Sequence, residues 1–527
     1  MNYEFLNNLY KEIDLELIPK NKKVLFTHSF SIYEPCFVHD RLMAYSLMLK
    51  GFDIYSTFCD GIQDLECNVY GGVWGGGKDF KNNCDHCKKK SKDLWGFLDE
   101  NHICMYSKYL TQKEYDEVNT IIDELTYDSW KDYSEDENLF GPWAKDILVN
   151  NYVVGDYKLI ENYEILGKNH LKNLILSYRA ARRIIKEVNP DRIISNDSYY
   201  GMWKMWELLA KRNNIPFYSH WSGTRFGGWC YAYNNPSMQL DFSKSWKNYS
   251  KLQLSFEEEA RIDKWLQERQ NGKNMVLDTA SLSSFKNEDF NIEKIDKTKP
   301  TALLSSNVIW DLAALNKEIF TKDISEWILD TIKWFKEHQE FQLIIKAHPA
   351  EEHPDIPQTY ENLKLIINKN FKKLPKNVIF IPPKASILVY DLFSMCKVGL
   401  VFTTSVGMEM VAHGIPVITA GLSHYRGYGF TIDPSTKDEY FDNLLNCLNN
   451  KNIINYKLLA KKFIKFNFFH YFSKIGLFEF EWQKPVKINI TSFKDLKEEN
   501  FPNWDYIINK ISHGLPILDE NNWPEES

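Results

Sequence analysis

From residue 301 to residue 419 short apolar runs alternate with helix-like stretches, and no other feature of the 527-residue sequence restricts the fold so strongly. Strands are predicted at 301–305, 341–346, 377–381, 398–402 and 415–419, with helices at 322–338, 386–395 and 406–413. Strands separated by helices must run parallel, because each helix carries the chain back across the sheet. The N-terminal half repeats the pattern less regularly. Strands are predicted at 22–28, 53–58, 192–196 and 215–219, and helices at 38–50, 163–188 and 199–213, the long one closed by Asn189-Pro190. Residues 62–150 break the pattern with a Gly- and Cys-rich loop and Trp-containing helices, which we read as an insertion. Between 251 and 299 the chain turns polar and charged, first a helix with Glu257, Glu258 and Glu259 and then a Lys/Asp/Asn-rich stretch ending at Lys299-Pro300, which together we read as a linker. The expected fold is α/β, with two Rossmann-like domains facing a cleft. The N-terminal domain spans 1–250 and the C-terminal domain 300–450; helices in 451–527 cross back to the first.

Composition narrows the function. Hydrophobic residues make up 44% and charged residues 26%, which is enough to bury two cores. A net charge of −7 offers no basic face for nonspecific binding to nucleic acid. The N-terminus lacks the uninterrupted apolar core of a signal peptide, and no run reaches the roughly 20 apolar residues of a spanning helix. The sequence therefore reads as cytoplasmic, and its nine cysteines as reduced thiols.

In open parallel sheets, ligands bind beyond the carboxyl ends of the strands, so the residues just past each strand matter most. The strand at 398–402 leads into Thr403, Thr404, Ser405 and Gly407, then a helix with Glu409 one turn in. Small hydroxyl residues at a helix start suit a phosphate, and Glu409 suits a ribose diol beside it. The alternative is that Thr404 and Ser405 merely cap the helix while Glu409 is solvated. The strand at 341–346 delivers Lys346, His348, Pro349 and Glu351. His348 suits a leaving phosphate as hydrogen-bond donor or acid, or is simply a satisfied loop histidine. The strand at 301–305 runs into Asn307, and the loop 421–431 contributes Tyr425 and Arg426.

These residues carry a resemblance. The runs "SSNVIWD", "KAHPAEEHP" and "TTSVGMEMVAHGIPVITAG" resemble the donor domain of bacterial capsule polysaccharide biosynthesis proteins, glycosyltransferases of GT-B architecture that include Kdo transferases, over roughly residues 300–435. The resemblance implies that Lys346, His348 and Pro349 match the family's basic-x-His-Pro motif, and Ser405, Gly407 and Glu409 its donor-binding Ser-x-Gly-x-Glu. Lys346 stands where an arginine is frequent, which keeps the charge but loses bidentate phosphate binding. A nucleotide-sugar co-substrate is implied, a CMP-linked acidic sugar first and UDP- or GDP-sugars next. The implied acceptor is a capsule, lipopolysaccharide or lipid-linked glycan at the inner face of the cytoplasmic membrane. No cofactor is expected, and the lack of an Asp-x-Asp pair in this half argues against a catalytic metal. Two alternatives remain: a CDP-polyol phosphotransferase of teichoic-acid type, and a non-catalytic glycan-binding or scaffold subunit.

An inverting transferase also needs a base for its acceptor. Besides His348, the catalytic candidates are Asp60 and Asp197, each just past an N-terminal strand, though aspartates there often only cap turns. His28 and Arg225 are acceptor-side candidates, Arg225 suiting an acidic acceptor. Cys59, Cys67, Cys84 and Cys87 form a cluster that reads either as a structural zinc site or as unliganded, redox-sensitive thiols. The stretch 457–476 mixes lysines with aromatics, fitting either the crossing helix or an anionic membrane surface.

Overall fold

A computed structural model describes residues 3–527 apart from 13–17, 19, 76–78, 200, 224, 272–287, 312–314, 355, 452–454, 482–483 and 498. The chain divides into two compact units. Residues 1–152, 157–245 and 468–527 form the first, and residues 153–156 and 246–467 the second.

Unit 1 is built on a six-stranded sheet of β1 (Lys22–Phe26), β2 (Phe52–Phe58), β3 (Ile103–Met105), β4 (Arg192–Asn196), β5 (Phe217–Ser222) and β6 (Trp229–Tyr233). Their order is β3-β2-β1-β4-β5-β6. All neighbours pair in parallel except β5 with β6. The expected insertion is not wholly outside the sheet, since β3 lies within it and pairs with β2. The long helix Tyr163–Val188 stops where Asn189 takes a left-handed φ of 48° and returns its N–H to the Ile185 carbonyl. Pro190 comes next, a residue that cannot extend the helical hydrogen-bond ladder. The returning segment is sewn into this unit by Trp504, whose indole donates to Ser46 Oγ at 2.9 Å, and by Arg192, which donates to the Ile511 carbonyl at 3.0 Å.

Unit 2 holds β7 (Thr301–Ser305), β8 (Gln342–Lys346), β9 (Val378–Ile381), β10 (Val398–Val401) and β11 (Val417–Thr419). Their order is β11-β10-β7-β8-β9 and every pair is parallel. Counted from its own first strand, each sheet reads third, second, first, fourth, fifth. That is the doubly wound Rossmann arrangement, whose order reverses between first and fourth strands: β1/β4 in unit 1 and β7/β10 in unit 2.

The expected linker differs from the structure over its first half. Phe256–Gln270 is a helix of unit 2, opened by a Ser255/Glu258 capping box and burying Ile262, Trp265 and Leu266. Residues 272–287 of that stretch lie outside the described residues. The helix Lys457–Lys465 packs beside it, with Lys461 on Asp263 at 2.7 Å and Lys465 on Glu258. Phe463 and Phe466, the aromatics expected to face either a partner helix or a membrane surface, are fully buried within this unit. Among the described residues no helix is long and apolar enough to cross a membrane.

Candidate functional site

At the reversal point of unit 2, Asn307 Oδ1 accepts from the Thr403 N–H at 3.1 Å, tying the end of β7 to the end of β10. Around this tie, polar atoms are left over. Ser305 Oγ, Ser306 Oγ, Thr403 Oγ1 and His424 Nε2 are all buried and make no hydrogen bond to protein. A buried polar atom without a partner costs on the order of 1–3 kcal/mol, and one chain seldom keeps several at adjoining strand ends unless a ligand completes them.

His348 stands at the end of β8. Its Nδ1 accepts from the Ala350 N–H at 3.1 Å, capping the short turn Pro349–Glu352. With Nδ1 accepting, the neutral ring carries its proton on Nε2. Burial, then the nearby positive Lys346, lowers its pKa to about 4. His348 is thus both the cap and a neutral N–H donor, and the expected role as a cationic acid does not suit it at neutral pH. Lys346 donates from Nζ to the Pro382 carbonyl at 2.9 Å.

The Ser405–Glu409 segment departs from expectation. Glu409 is fully buried, and its Oε1 accepts from Arg269 Nε at 2.6 Å. It is not solvated: Oε1 makes it the counter-ion of Arg269, while Oε2 is buried and makes no hydrogen bond to protein. The same guanidinium donates from Nη2 to Ser405 Oγ at 3.1 Å. Burial acts to lower the Arg269 pKa, but the Glu409 carboxylate beside it and Tyr390 leave it raised overall. Sequence reasoning misses Arg269 because the helix that carries it reads as a linker. The signal is there: Ile262, Trp265, Leu266 and Arg269 lie three, four and seven residues apart, which puts the arginine on the apolar stripe.

Three further expected donor residues are engaged by the protein itself, though Glu351 Oε2 makes no hydrogen bond to it. Tyr425 is fully buried and donates to the Thr404 carbonyl at 2.6 Å, underpinning the loop from below. Arg426 donates to the Thr419 carbonyl at 3.1 Å and the Pro434 carbonyl at 2.6 Å, clamping its own loop. Glu351 is buried with Oε1 accepting from the Leu363 N–H at 3.1 Å, and burial raises its pKa to about 8, so it is a neutral acid that caps a helix. His424 was not anticipated. Burial, then the charges of Arg269 and Lys317, holds its pKa at about 3, so this ring too is neutral.

In unit 1 the corresponding reversal point carries the same kind of tie, Asn196 Oδ1 accepting from the Phe30 N–H at 2.6 Å. Next to it Asp197 is buried, with Oδ1 accepting from Ser237 Oγ at 3.1 Å and the Met238 N–H at 3.0 Å. Burial outweighs these bonds and lifts its pKa to about 6. Asp60 has both oxygens committed to Ser107, Oδ1 to its N–H at 3.0 Å and Oδ2 to its hydroxyl, and so works as a turn cap. His28 Nδ1 accepts from the Cys59 N–H at 3.0 Å, with burial lowering its pKa to about 4. Arg225 is buried over the Phe469 ring at 4.7 Å and donates to the Phe468 carbonyl at 2.8 Å, so its charge anchors the returning chain instead of pointing at an acceptor.

A buried trio, His39, Asp40 and His220, brings its ligand-type atoms within 4.8 Å of one another. Its nitrogens are already committed. Both rings meet Asp40 Oδ1, at 2.8 and 2.9 Å, while His39 Nε2 meets the Tyr231 hydroxyl at 2.8 Å and His220 Nδ1 accepts from Trp229 at 3.3 Å. All four ring nitrogens of the trio are thus engaged within a hydrogen-bond network.

Residues 277–469 match the family model described as "Capsule polysaccharide biosynthesis protein". That segment contains β7 to β11 and the polar strand ends described above. A comparison with curated protein sequences finds no match. Among solved structures, the chain is similar to the beta Kdo 2,4 transferase KpsC of Thermosulfurimonas dismutans at 12% identity and a TM-score of 0.33, over 53% of this chain and 79% of that one. It is also similar to the UDP-GlcNAc 2-epimerase of Neisseria meningitidis bound to UDP-GlcNAc, at 13% identity and a TM-score of 0.27, over 84% of this chain and 98% of that one.

Proposed function

We propose that the protein is a glycosyltransferase of surface-polysaccharide synthesis, binding a nucleotide-activated sugar at the ends of β7, β8 and β10 in unit 2 and using no metal. The buried, unsatisfied polar atoms of Ser305, Ser306 and Thr403 carry this reading, because they sit where the strand order reverses and where such sheets take their ligands. Arg269, held against Ser405, and the Nε2–H of His348 add a cation and a donor suited to a diphosphate or phosphate. Catalysis by neutral donors and a fixed cation is the electrostatic kind, stabilising charge on the departing nucleotide without transferring a proton to it. The capsule-biosynthesis match over residues 277–469 agrees with this use. A CMP-linked acidic sugar is the proposed donor and a capsule or other surface glycan the acceptor. Asp197 is the proposed base, since its pKa of about 6 leaves it ionised yet basic at neutral pH.

A panel of CMP-, UDP-, GDP- and CDP-activated donors tests this, read by thermal stabilisation and then by product analysis with oligosaccharide acceptors. The expected result is stabilisation by a CMP-sugar, and release of CMP with sugar added to the acceptor. Deposition of phosphate in the product would replace this reading with a polyol phosphotransferase. Binding without turnover on any acceptor would leave a glycan-binding subunit, and stabilisation by none of the donors would remove the site.

A further inference from the structure

Four of the nine cysteines fall between residues 59 and 87, and the fold gathers them. Cys59 lies just past β2, Cys67 lies in the next loop, and Cys84 and Cys87 are one turn apart on the helix Phe80–Trp95, so that both project from one face. A Cβ placed on Gly61 would stand 3.8 Å from Cys84 Sγ, which puts the helix directly against the turn after Cys59. Each remaining thiol feels its neighbours: Cys67 the charges of Cys59 and Cys84, and Cys87 those of Cys67, Cys59 and Cys84. All four are free of disulfides.

The backbone is arranged for sulfur anions. The Tyr70 N–H donates to Cys67 Sγ at 3.3 Å, and the backbone N–H groups of Gly61 and Gln63 beside Cys59, and of Val69 beside Cys67, favour the thiolate form. A neutral thiol is a weak acceptor and gains little from two N–H donors; a metal-bound thiolate gains charge neutralisation and a fixed orientation. In the absence of a cation, burial and the mutual repulsion of the sulfurs push Cys59 up to about 11 and Cys67 up to about 12. The helix bearing Cys84 and Cys87 also carries Lys81, Lys88, Lys89, Lys90 and Lys92, counter-charge for a tetrathiolate complex of net charge −2.

We propose that Cys59, Cys67, Cys84 and Cys87 bind one zinc ion as a closed, structural four-sulfur site. Binding forms four Zn–S bonds and releases the thiol protons to solvent. No three of the sulfurs lie within 4.8 Å of one another before the metal is present, so the shell closes by rotation of the cysteine side chains. The ion then staples the loop between β2 and the helix, a stretch whose regular structure among the described residues is one short turn, Gly72–Gly75. With every coordination position taken by sulfur, the ion has no place for substrate and takes no part in sugar transfer.

The test uses the full chain purified under reducing conditions without chelator. Metal analysis should find about one zinc per chain. Reconstitution with Co2+ in place of zinc should give the intense visible bands and sulfur-to-cobalt charge transfer of tetrahedral thiolate coordination. Cys84→Ser/Cys87→Ser should lose both signals, while Cys104→Ser and Cys396→Ser keep them. Zinc at or below a tenth of an equivalent, together with a cobalt spectrum lacking sulfur charge transfer, overturns the proposal, and so does formation of disulfides among these four in the protein as purified. The cobalt spectrum of the unaltered chain decides the matter even if the double variant fails to fold.

Discussion

Arg269 Nε and Glu409 Oε1 stand 2.6 Å apart with side chains 6% and 0% exposed, which makes them a desolvated ion pair at the root of the proposed donor site. Removing one partner from such a pair strands the other charge in a low-dielectric interior, at a cost of about 3–5 kcal/mol. Arg269→Ala and Glu409→Gln should each lower unfolding free energy by roughly that amount, measured by denaturant titration without ligand. Replacing both with a methionine–leucine pair should restore much of the loss. If Glu409→Gln left stability unchanged and only weakened nucleotide binding, Glu409 would be a ligand contact after all.

Gly407 is required chiefly by Tyr425, with Val401 Cγ2 3.1 Å from where a Cβ would stand. A Cβ there would lie 2.2 Å from the Tyr425 hydroxyl oxygen and 2.9 Å from the ring carbon bearing it. Gly407→Ala should destabilise by about 1–3 kcal/mol through overpacking, and Tyr425→Phe alone by about 1 kcal/mol through loss of the bond to the Thr404 carbonyl. Combined, the two should cost less than their sum, since the phenylalanine removes the nearest obstructing atom. An additive double variant in denaturation experiments would show that the glycine answers to something else.

The sheets were readable because each strand is a compact apolar run between polar ends, and β7 to β11 fall where the alternation puts them. Side-chain direction was not readable. Glu409 and Tyr425 look like ligand contacts by spacing, yet one neutralises an arginine 140 positions away and the other props a carbonyl. Charge density at Glu257, Glu258 and Glu259 made a helix packed into unit 2 resemble part of a linker, because Glu259 and Glu258 meet Lys461 and Lys465, a partnership that sequence separation conceals. The places of His348 and Asn307 just past β8 and β7 were legible, since they depend on the strand ends alone.

Glu351 should make stability fall with rising pH. Its folded-state pKa of about 8 exceeds the ordinary 4.5, so the native state holds a proton that the unfolded chain has lost throughout that window. The stabilisation is complete below about pH 4.5 and disappears as pH rises through about 8. Glu351→Gln keeps an oxygen for the Leu363 N–H and cannot ionise. Its stability relative to the parent should therefore improve from pH 6 to about pH 8 and level off above it; a constant difference across that range would place the proton elsewhere.

Asp197 is the test of where the acceptor loses its proton. Asn at this position retains an oxygen for Ser237 and Met238 but no basicity, so Asp197→Asn should fold, bind donor with unchanged affinity, and lose turnover by roughly 10²–10⁴-fold. The parent's kcat/KM should drop below about pH 6, as the carboxylate takes up a proton; Asp60→Asn should leave that limb in place.

His348 joins two roles that substitution can separate. Its Nδ1 caps the turn at Ala350, which leaves the proton of the neutral ring on Nε2 as a donor. Asparagine can supply the capping oxygen but has no donor at the Nε2 position. His348→Asn should therefore hold its melting temperature close to the parent's and weaken donor binding by 10-fold or so, about the worth of one charge-assisted hydrogen bond; His348→Ala should lose both. With its folded pKa lowered from 6.5 to about 4, the ring is neutral in the native state where the unfolded chain is already protonated. Its contribution to stability is thus complete above about pH 6.5 and is lost as pH falls toward 4. Donor affinity at constant ligand charge should show no inflection near pH 6.5; an inflection there that disappears in His348→Asn would mean that the imidazolium, not the neutral ring, meets the phosphate.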